Sequence, residues 1–372
     1  PTMDYVQITE KDRQAMLKAV GAADMEDLLK QVPAELRLKE PLALPPAMDE
    51  LALRAHLSEL AAQNSPAGEK TCFIGAGAYD HFIPSVVDAL AAKGEFVTAY
   101  TPYQAEASQG ALQAFFEFQT MLCQLTGMEV ANASLYEGAT ALAEAVLMAL
   151  NITGKRVVLV SQGVHPHYRQ LLKTYLADLP AAYEEIPLKE GLTDGQHLED
   201  EMDEDTAAVV AASPNFFGHL ERIDHLVKFA HANGSLFIQV FNPISLGIVK
   251  HPGEMEVDVA VGEGQPLGIP LGFGGPYLGL FATRMQHVRK MPGRLVGQTV
   301  DVDGKRAFCL TLQTREQHIR REKATSNVCT NQGLLALRAS IYMAAMGPKG
   351  MGQVAQICHD KAAYLASRLK EV

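Results

Sequence analysis

Short apolar runs separated by amphipathic stretches recur through the middle of the chain, and they predict alternating strands and helices. RVVLVS at 156–161, a run near 182–187, TAAVVAAS at 206–213, Leu236–Val240, Val257–Val261 and YLGLFATR at 277–284 have the length and β-branched content of buried strands. Helical periodicity lies between them near 166–177 and 224–233, the second closed by Asn233 and Gly234. Further helices are predicted at Ser85–Ala92, from the loop at 96–110 through Leu125, and from Ala139 to about Leu150. Such alternation implies an α/β fold, with a mainly parallel sheet covered by helices on both faces and its loops gathered at one rim.

The two ends depart from this pattern. Thr9 with Asp12, and Asp24 with Asp27, resemble capping signatures for short helices around 10–19 and 25–31. Prolines in LKEPLALPP at 38–46 forbid helix continuation, and a further helical pattern runs from Met48 to about Ala62. We read residues 1–65 as an N-terminal arm of the kind that wraps a partner, and 66–320 as a large domain. Residues 321–372 form a connecting helix from Gln332 to Ala345, a break at GPKGM (347–351), and an amphipathic helix from Gln353 to Val372. That last pattern stops without a cap, so an incomplete C-terminal small domain is expected. Met3 has the look of a natural start, with Pro1 and Thr2 added before it.

Composition narrows the function classes. A net charge of −11 with no arginine-rich or aromatic-interleaved face disfavours nucleic acid. The sequence holds no apolar run long enough for a membrane span and no secretory pattern at its start, so a cytoplasmic protein is expected. Five cysteines, at 72, 123, 309, 329 and 358, form no CxxC pair, and we read them as reduced, buried small hydrophobes.

Several stretches carry candidate chemistry. TCFIGAGAY at 71–79 lacks the third glycine of a dinucleotide fingerprint, and neither GxSxG nor GxxxxGK[ST] occurs. SLYEGAT at 134–140 opens a helix as an anion cradle would, but Glu137 would repel an anion, so a structural turn or a vestigial cradle is favoured. In GVHPHY at 163–168, His165 and His167 lack further ligands of suitable spacing, which favours packed or stacking imidazoles over a metal site. Tyr100, Thr101, Tyr103 and Gln104 either line a small polar pocket or pack their loop against its own body. In TREQHIRREKATSN, the run Arg315, Arg320, Arg321 and Lys323 precedes Thr325, Ser326 and Asn327. This is either a solvated helical face or a kit for holding phosphate or carboxylate. The strands at 236–240 and 257–261 each end near a glutamine, Gln239 and Gln265, before the glycine turn GFGGP at 272–276. An amide there can carry no charge.

The stretches from AYTPYQAEASQG through SLYEGATALAEA, LGFGGPYLGLFATR and LQTREQHIRREKATSNVCTNQ closely resemble the P-protein family of the glycine cleavage system, decarboxylating glycine dehydrogenases. The likeness is to the subunit 1 (alpha) chains of its two-gene form, equivalent to the N-terminal half of the one-chain enzyme, and covers nearly the whole sequence. It implies the fold type I of pyridoxal-phosphate (PLP) transferases such as aspartate aminotransferase, with a seven-stranded, mainly parallel sheet in the large domain. That fold's working subunit needs a Schiff-base lysine and an aspartate for the pyridine nitrogen. The resemblance puts Gln265 at the lysine position, Gln239 at the aspartate position and His165 where a histidine stacks on the ring. It therefore implies a degenerate site, no metal, and no PLP held by this chain alone. PLP would sit in a partner subunit 2, in an alpha2beta2 complex that decarboxylates glycine and passes the aminomethyl group to the lipoyl arm of H-protein. Residues implied to complete the partner's site are Tyr100, Thr101, Tyr103, Gln104, Glu106, Lys323, Thr325, Ser326 and Asn327. The alternative is a non-catalytic scaffold or regulatory subunit.

Overall fold

A computed structural model describes residues 7–40, 42–72, 75–329 and 331–371. Met3 as a start, and Phe73 and Ile74 of TCFIGAGAY, lie outside the described residues. The chain divides into two compact units, Pro1–Cys72 and Phe73–Val372, the second containing the segment set apart at 321.

In the first unit the caps act as their chemistry requires. Thr9 and Asp12 exchange side-chain and backbone bonds in a full capping box before the helix Glu10–Val20, and Gly21 ends it in the left-handed region. Asp24 caps Met25–Leu28 and Asp49 caps Glu50–Ala61. Leu36, Leu38, Leu44 and Leu51 of this unit are exposed.

The second unit is built on strands β1 (Val130–Ala131), β2 (Val157–Ser161), β3 (Ala182–Ile186), β4 (Leu188–Lys189), β5 (Leu192–Thr193), β6 (Thr206–Ala212), β7 (Leu236–Phe241), β8 (Val259–Glu263), β9 (Gly279–Thr283), β10 (Leu295–Val300) and β11 (Arg306–Thr311). The main sheet has seven strands in the order β1-β9-β8-β7-β6-β2-β3. β3, β2, β6, β7 and β8 run parallel, while β9 is antiparallel to β8 and to β1. Strand β6 is buried at all its positions because helices cover both faces, which explains why its sequence runs apolar without alternation. The helix Ile223–Ala232 shows why its face is inward: Ile223, Leu226, Val227 and Ala230, at helical spacing, are its buried residues. The helices Gly138–Thr153 and Pro166–Leu176 supply the apolar layer of one face, and Ile223–Ala232 that of the other.

Three sequence expectations change. Strand β8 begins at Val259, two residues after Val257, because Asp258 turns its carboxylate back to accept from Phe237 N at 2.8 Å. The GPKGM break shrinks to a single residue: the helix runs Gly333–Leu369, with only Gly347 (φ 61°) non-helical, and Pro348 stands where the second half starts. The cysteines are not buried. Cys72, Cys329 and Cys358 are exposed and Cys123 and Cys309 half-buried, since the first two lie outside helices and strands and Cys358 sits on the outer part of the last helix. Among the described residues no helix is long and apolar enough to cross a membrane.

Candidate functional site

The strand order places β6, β7 and β8 on one side of β2 and β3 on the other, and in such sheets ligands bind at the carboxyl ends of the strands beside that switch. A cavity of about 1090 Å³ lies there, lined by residues at the ends of β6 (Ala212), β7 (Phe241, Asn242) and β8 (Glu263), and by His165 beyond β2. His165 is packed: its ring lies 5.0 Å from Phe216 and 5.2 Å from Tyr168. Its Nδ1 accepts from His167 N at 3.0 Å and its Nε2 meets the Ala76 carbonyl at 3.0 Å, so Nε2 carries the proton. Burial lowers its pKa, which keeps the imidazole neutral. Among the described residues no group of three or more His, Cys, Asp or Glu side chains converges to hold a metal ion.

Gln265, at 1% exposure, works as a clasp. Its Oε1 accepts from Tyr79 N at 2.9 Å while its Nε2 donates to Tyr79 O and Ile269 O, both at 2.8 Å. An amide presents a donor and an acceptor side by side to one peptide unit, which neither a lysine nor an ionised carboxylate can do. Gln239 is equally buried on β7, between Ala211 of β6 and Ala260 of β8, and its Oε1 has no hydrogen-bond partner. A carboxylate there would need a cation facing it.

The helix N-terminus at Gly138 is filled from within. Gly138 N donates to Glu263 Oε2 at 2.9 Å, and Thr140 N to Glu137 Oε1 at 2.8 Å. Glu263 Oε1 also accepts from Gln265 N and Leu278 N, at 2.8 and 3.0 Å. A side chain at 138 would strike the Tyr168 hydroxyl at 2.2 Å, so only glycine lets the helix approach this closely. Burial drives the Tyr168 phenol far above its usual range, and Glu263 and Glu137 add to the shift. Burial likewise outweighs the three N–H donors at Glu263 and, with help from Glu137, pushes it from 4.5 up to about 7.

These residues do not fit a phosphorylated pyridoxal. Among the described residues no lysine or arginine lines the cavity, two carboxylates hold the N–H groups that an anion would need, and both glutamines are uncharged.

The shift at Glu263 has a stability consequence. Its folded pKa lies above the unfolded 4.5, so the folded chain holds the proton more tightly; this contribution is complete below about 4.5 and lost as pH rises to about 7. At 1.36 kcal/mol per pH unit, wild-type stability relative to Glu263→Gln should fall by on the order of 3 kcal/mol across that window. Urea unfolding of both proteins between those pH values checks this, and parallel curves would refute it.

The other candidates lie elsewhere in this unit. Tyr100 is 87% and Tyr103 51% exposed, and Gln104, Glu106, Lys323 and Asn327 are exposed too. Thr101, Thr325 and Ser326 are half-buried. The small pocket beside the tyrosine loop is not polar. It measures about 180 Å³ and takes Tyr100 and Thr101, but its other walls are mainly Phe96, Val97, Phe115, Leu334 and Leu337, while Tyr103 and Gln104 do not line it. In the basic run, Arg315 is buried and donates to the carbonyls of Met291 and Gly293, so it is structural, whereas Arg320, Arg321 and Lys323 are exposed beside the hydroxyls. Ser326 Oγ accepts from Val328 N at 3.0 Å, and its side chain also bonds buried Glu144; the Thr325 hydroxyl reaches Arg315 O at 3.5 Å. Sequence reasoning missed Arg294, which joins the tyrosine loop to the stretch after Asn327: its guanidinium donates to Tyr103 OH at 3.0 Å and to Cys329 O at 2.7 Å. It also missed Glu263. Nothing in the order of residue types marks either one as buried.

The family profile described as glycine cleavage system P-protein matches residues 3–372. A Moorella thermoacetica chain named probable glycine dehydrogenase (decarboxylating) subunit 1 is 53% identical over 367 residues, covering 99% of this chain and 82% of its own. A crystal structure of glycine decarboxylase (P-protein) of the glycine cleavage system, in inhibitor-bound form, superposes with TM-score 0.93 at 51% identity, covering 100% of this chain and 83% of that one. Mouse CSAD, at 14% identity and TM-score 0.66 over 89% of this chain and 71% of its own, speaks to the fold alone. The architecture is the fold type I of PLP-dependent transferases.

Proposed function

Because the chain belongs to the glycine cleavage system P-protein family, as a glycine dehydrogenase (decarboxylating) subunit 1, we propose that it acts by completing the active site of a PLP-bearing subunit 2. The observation that carries this is the contrast between its two candidate regions. The cavity at the strand ends is lined by Glu263, which fills the helix terminus at Gly138, and the uncharged Gln239 and Gln265 are buried next to its lining residues Val240 and Pro266, while the hydroxyls and cations suited to an anion lie at or near the surface around 100–106 and 323–327. In the complex, PLP on the partner supplies the electron sink for glycine decarboxylation, and the aminomethyl group passes to the lipoyl arm of H-protein.

In this reading Tyr100, Thr101 and Tyr103 shape the glycine pocket, with Gln104 and Glu106 at its edge. Thr325 and Ser326 approach the partner's phosphate, and Lys323 and Asn327 flank it. Roles divide the chain into an arm at 1–65, a large domain at 66–320 and a connecting helix with the start of a small domain at 321–372. An alpha2beta2 assembly in the cytoplasm suits the acidic sequence and the reduced thiols. A purely scaffolding role is disfavoured, since the relatives are named as dehydrogenase subunits. The test is alanine substitution at Tyr100 and Thr325 in the reconstituted complex. Loss of glycine turnover with assembly intact supports the reading, and wild-type turnover removes it.

A further inference from the structure

Arg294 is 4% exposed at the foot of β10, yet most of what it holds leads to the surface. One guanidinium nitrogen, Nη2, donates both to the Tyr103 hydroxyl at 3.0 Å and to the Cys329 carbonyl at 2.7 Å. The other, Nη1, donates to Asn331 Oδ1 at 3.3 Å, and the Glu316 carboxylate lies 4.0 Å from Nε. The Tyr103 ring also sits 5.3 Å from the guanidinium carbon. Tyr103 and Arg294 are 191 residues apart in sequence, and Arg294 and Cys329 a further 35. A planar fork of five donors can meet acceptors from several segments at once, and a lysine ammonium cannot reproduce that geometry.

The groups on either side of this fork are themselves anchored to the fold. Asn331 Nδ2 donates to Ala133 O at 2.6 Å, and Asn331 lines the small pocket together with Tyr100 and Thr101. Cys329 N donates to Tyr136 OH at 3.0 Å, and Ala133 N donates to the Arg294 carbonyl at 2.8 Å. His318, from the basic run, sets its ring 5.7 Å from that of Tyr103. Moving either exposed segment would therefore take an acceptor away from the buried guanidinium, which is costly in the interior.

We propose that Arg294 is a positioning residue: it couples the Tyr100–Glu106 loop to the segment Lys323–Cys329, so that the subunit offers its partner one preorganised surface instead of two independent loops. The functional half of this inference rests on the reading of the partner-facing site given above. The structural half does not.

Hydrogen exchange on the chain alone tests the coupling. Tyr103→Phe removes a single acceptor from a half-exposed side chain and keeps the fold. It should raise amide exchange about fivefold or more in its own loop and also at 328–329, across the bridge, while the helix Gly138–Thr153 stays unchanged. A rise confined to residues 98–106, or none, overturns the proposal. In the reconstituted complex, Arg294→Lys should lower kcat for glycine–bicarbonate exchange about 30-fold or more with co-purification intact, because small misplacements of positioning groups are costly. Adding Tyr103→Phe to Arg294→Lys should then cost less than about another twofold. Full activity in Arg294→Lys, or losses that multiply, count against the positioning role. If Arg294→Lys fails to fold, Asn331→Ala replaces it: raised exchange at 98–106 as well as at 328–329 supports the coupling, and exchange at 98–106 that stays at the wild-type rate overturns it. Coupling without any effect of Tyr100 and Thr325 alanines on turnover would instead overturn the partner-site reading and leave the bridge standing.

Discussion

Replacing Gln265 with lysine is expected to weaken the fold and to leave the chain without a reducible aldimine. The wild-type amide accepts from Tyr79 N and donates to Tyr79 O and Ile269 O. A lysine donates only, so the Tyr79 N–H loses its partner and an ammonium enters a position that is 1% exposed. Burying an imperfectly paired ammonium at this position, with the part-buried Tyr79 N–H left without its acceptor, is expected to cost about 2–5 kcal/mol in urea unfolding. The lysine would also find no site built to receive the cofactor. Glu263 and Glu137 hold the N–H groups of Gly138 and Thr140, and an amide stands at Gln239. A stable Gln265→Lys chain that forms an aldimine with added PLP would show that only one residue separates this cavity from a working site.

Alanine at exposed Tyr100 should leave the isolated chain's stability within about 0.5 kcal/mol of wild type, whereas at half-buried Ser326 it also removes the bond to buried Glu144. The effects on cofactor and substrate should emerge in the complex. A hydroxyl that donates to a phosphate contributes about 1.5–3 kcal/mol, so each of the two hydroxyls lost in a Thr325, Ser326 double alanine variant should weaken PLP retention by the complex about 10- to 100-fold. Tyr100→Ala should instead lower kcat/KM for glycine about 100-fold while PLP content stays constant, because a pocket wall orients substrate. Spectroscopic titration of PLP and the bicarbonate exchange rate distinguish the two effects. Unchanged values for both variants would return these residues to a plain surface role.

The large-domain fold was legible because its central strands are buried on both faces, and continuous apolar runs such as VVLVS at β2 and TAAVVAA at β6 admit few other readings. Elements that draw their stability from context escaped. Strand β1 is two residues long and exists through its pairing with β9. The β10–β11 hairpin did carry a signal, Asp303-Gly304 between two runs, and Asp194 marked the helix Gly195–Glu201 as its cap. For the site, residue type alone told that Gln239 and Gln265 carry neither a Schiff-base amine nor a charge. It did not disclose that Gln265 clasps Tyr79, that Glu263 fills the helix terminus, or that Arg294 joins two distant segments. Each depends on what lies opposite in space. Arg315 illustrates the same limit, as one member of a basic run that turns inward while its neighbours stay in solvent.

The central claim is that this chain supplies walls to a reaction whose lysine lies on another chain. Borohydride reduction of the assembled complex with PLP, followed by peptide mass spectrometry, tests it most directly. The pyridoxyl-lysine is expected on subunit 2 alone, with no labelled peptide from this chain. A stoichiometric pyridoxyl-lysine on this chain, at Lys323 or any other lysine, would contradict it.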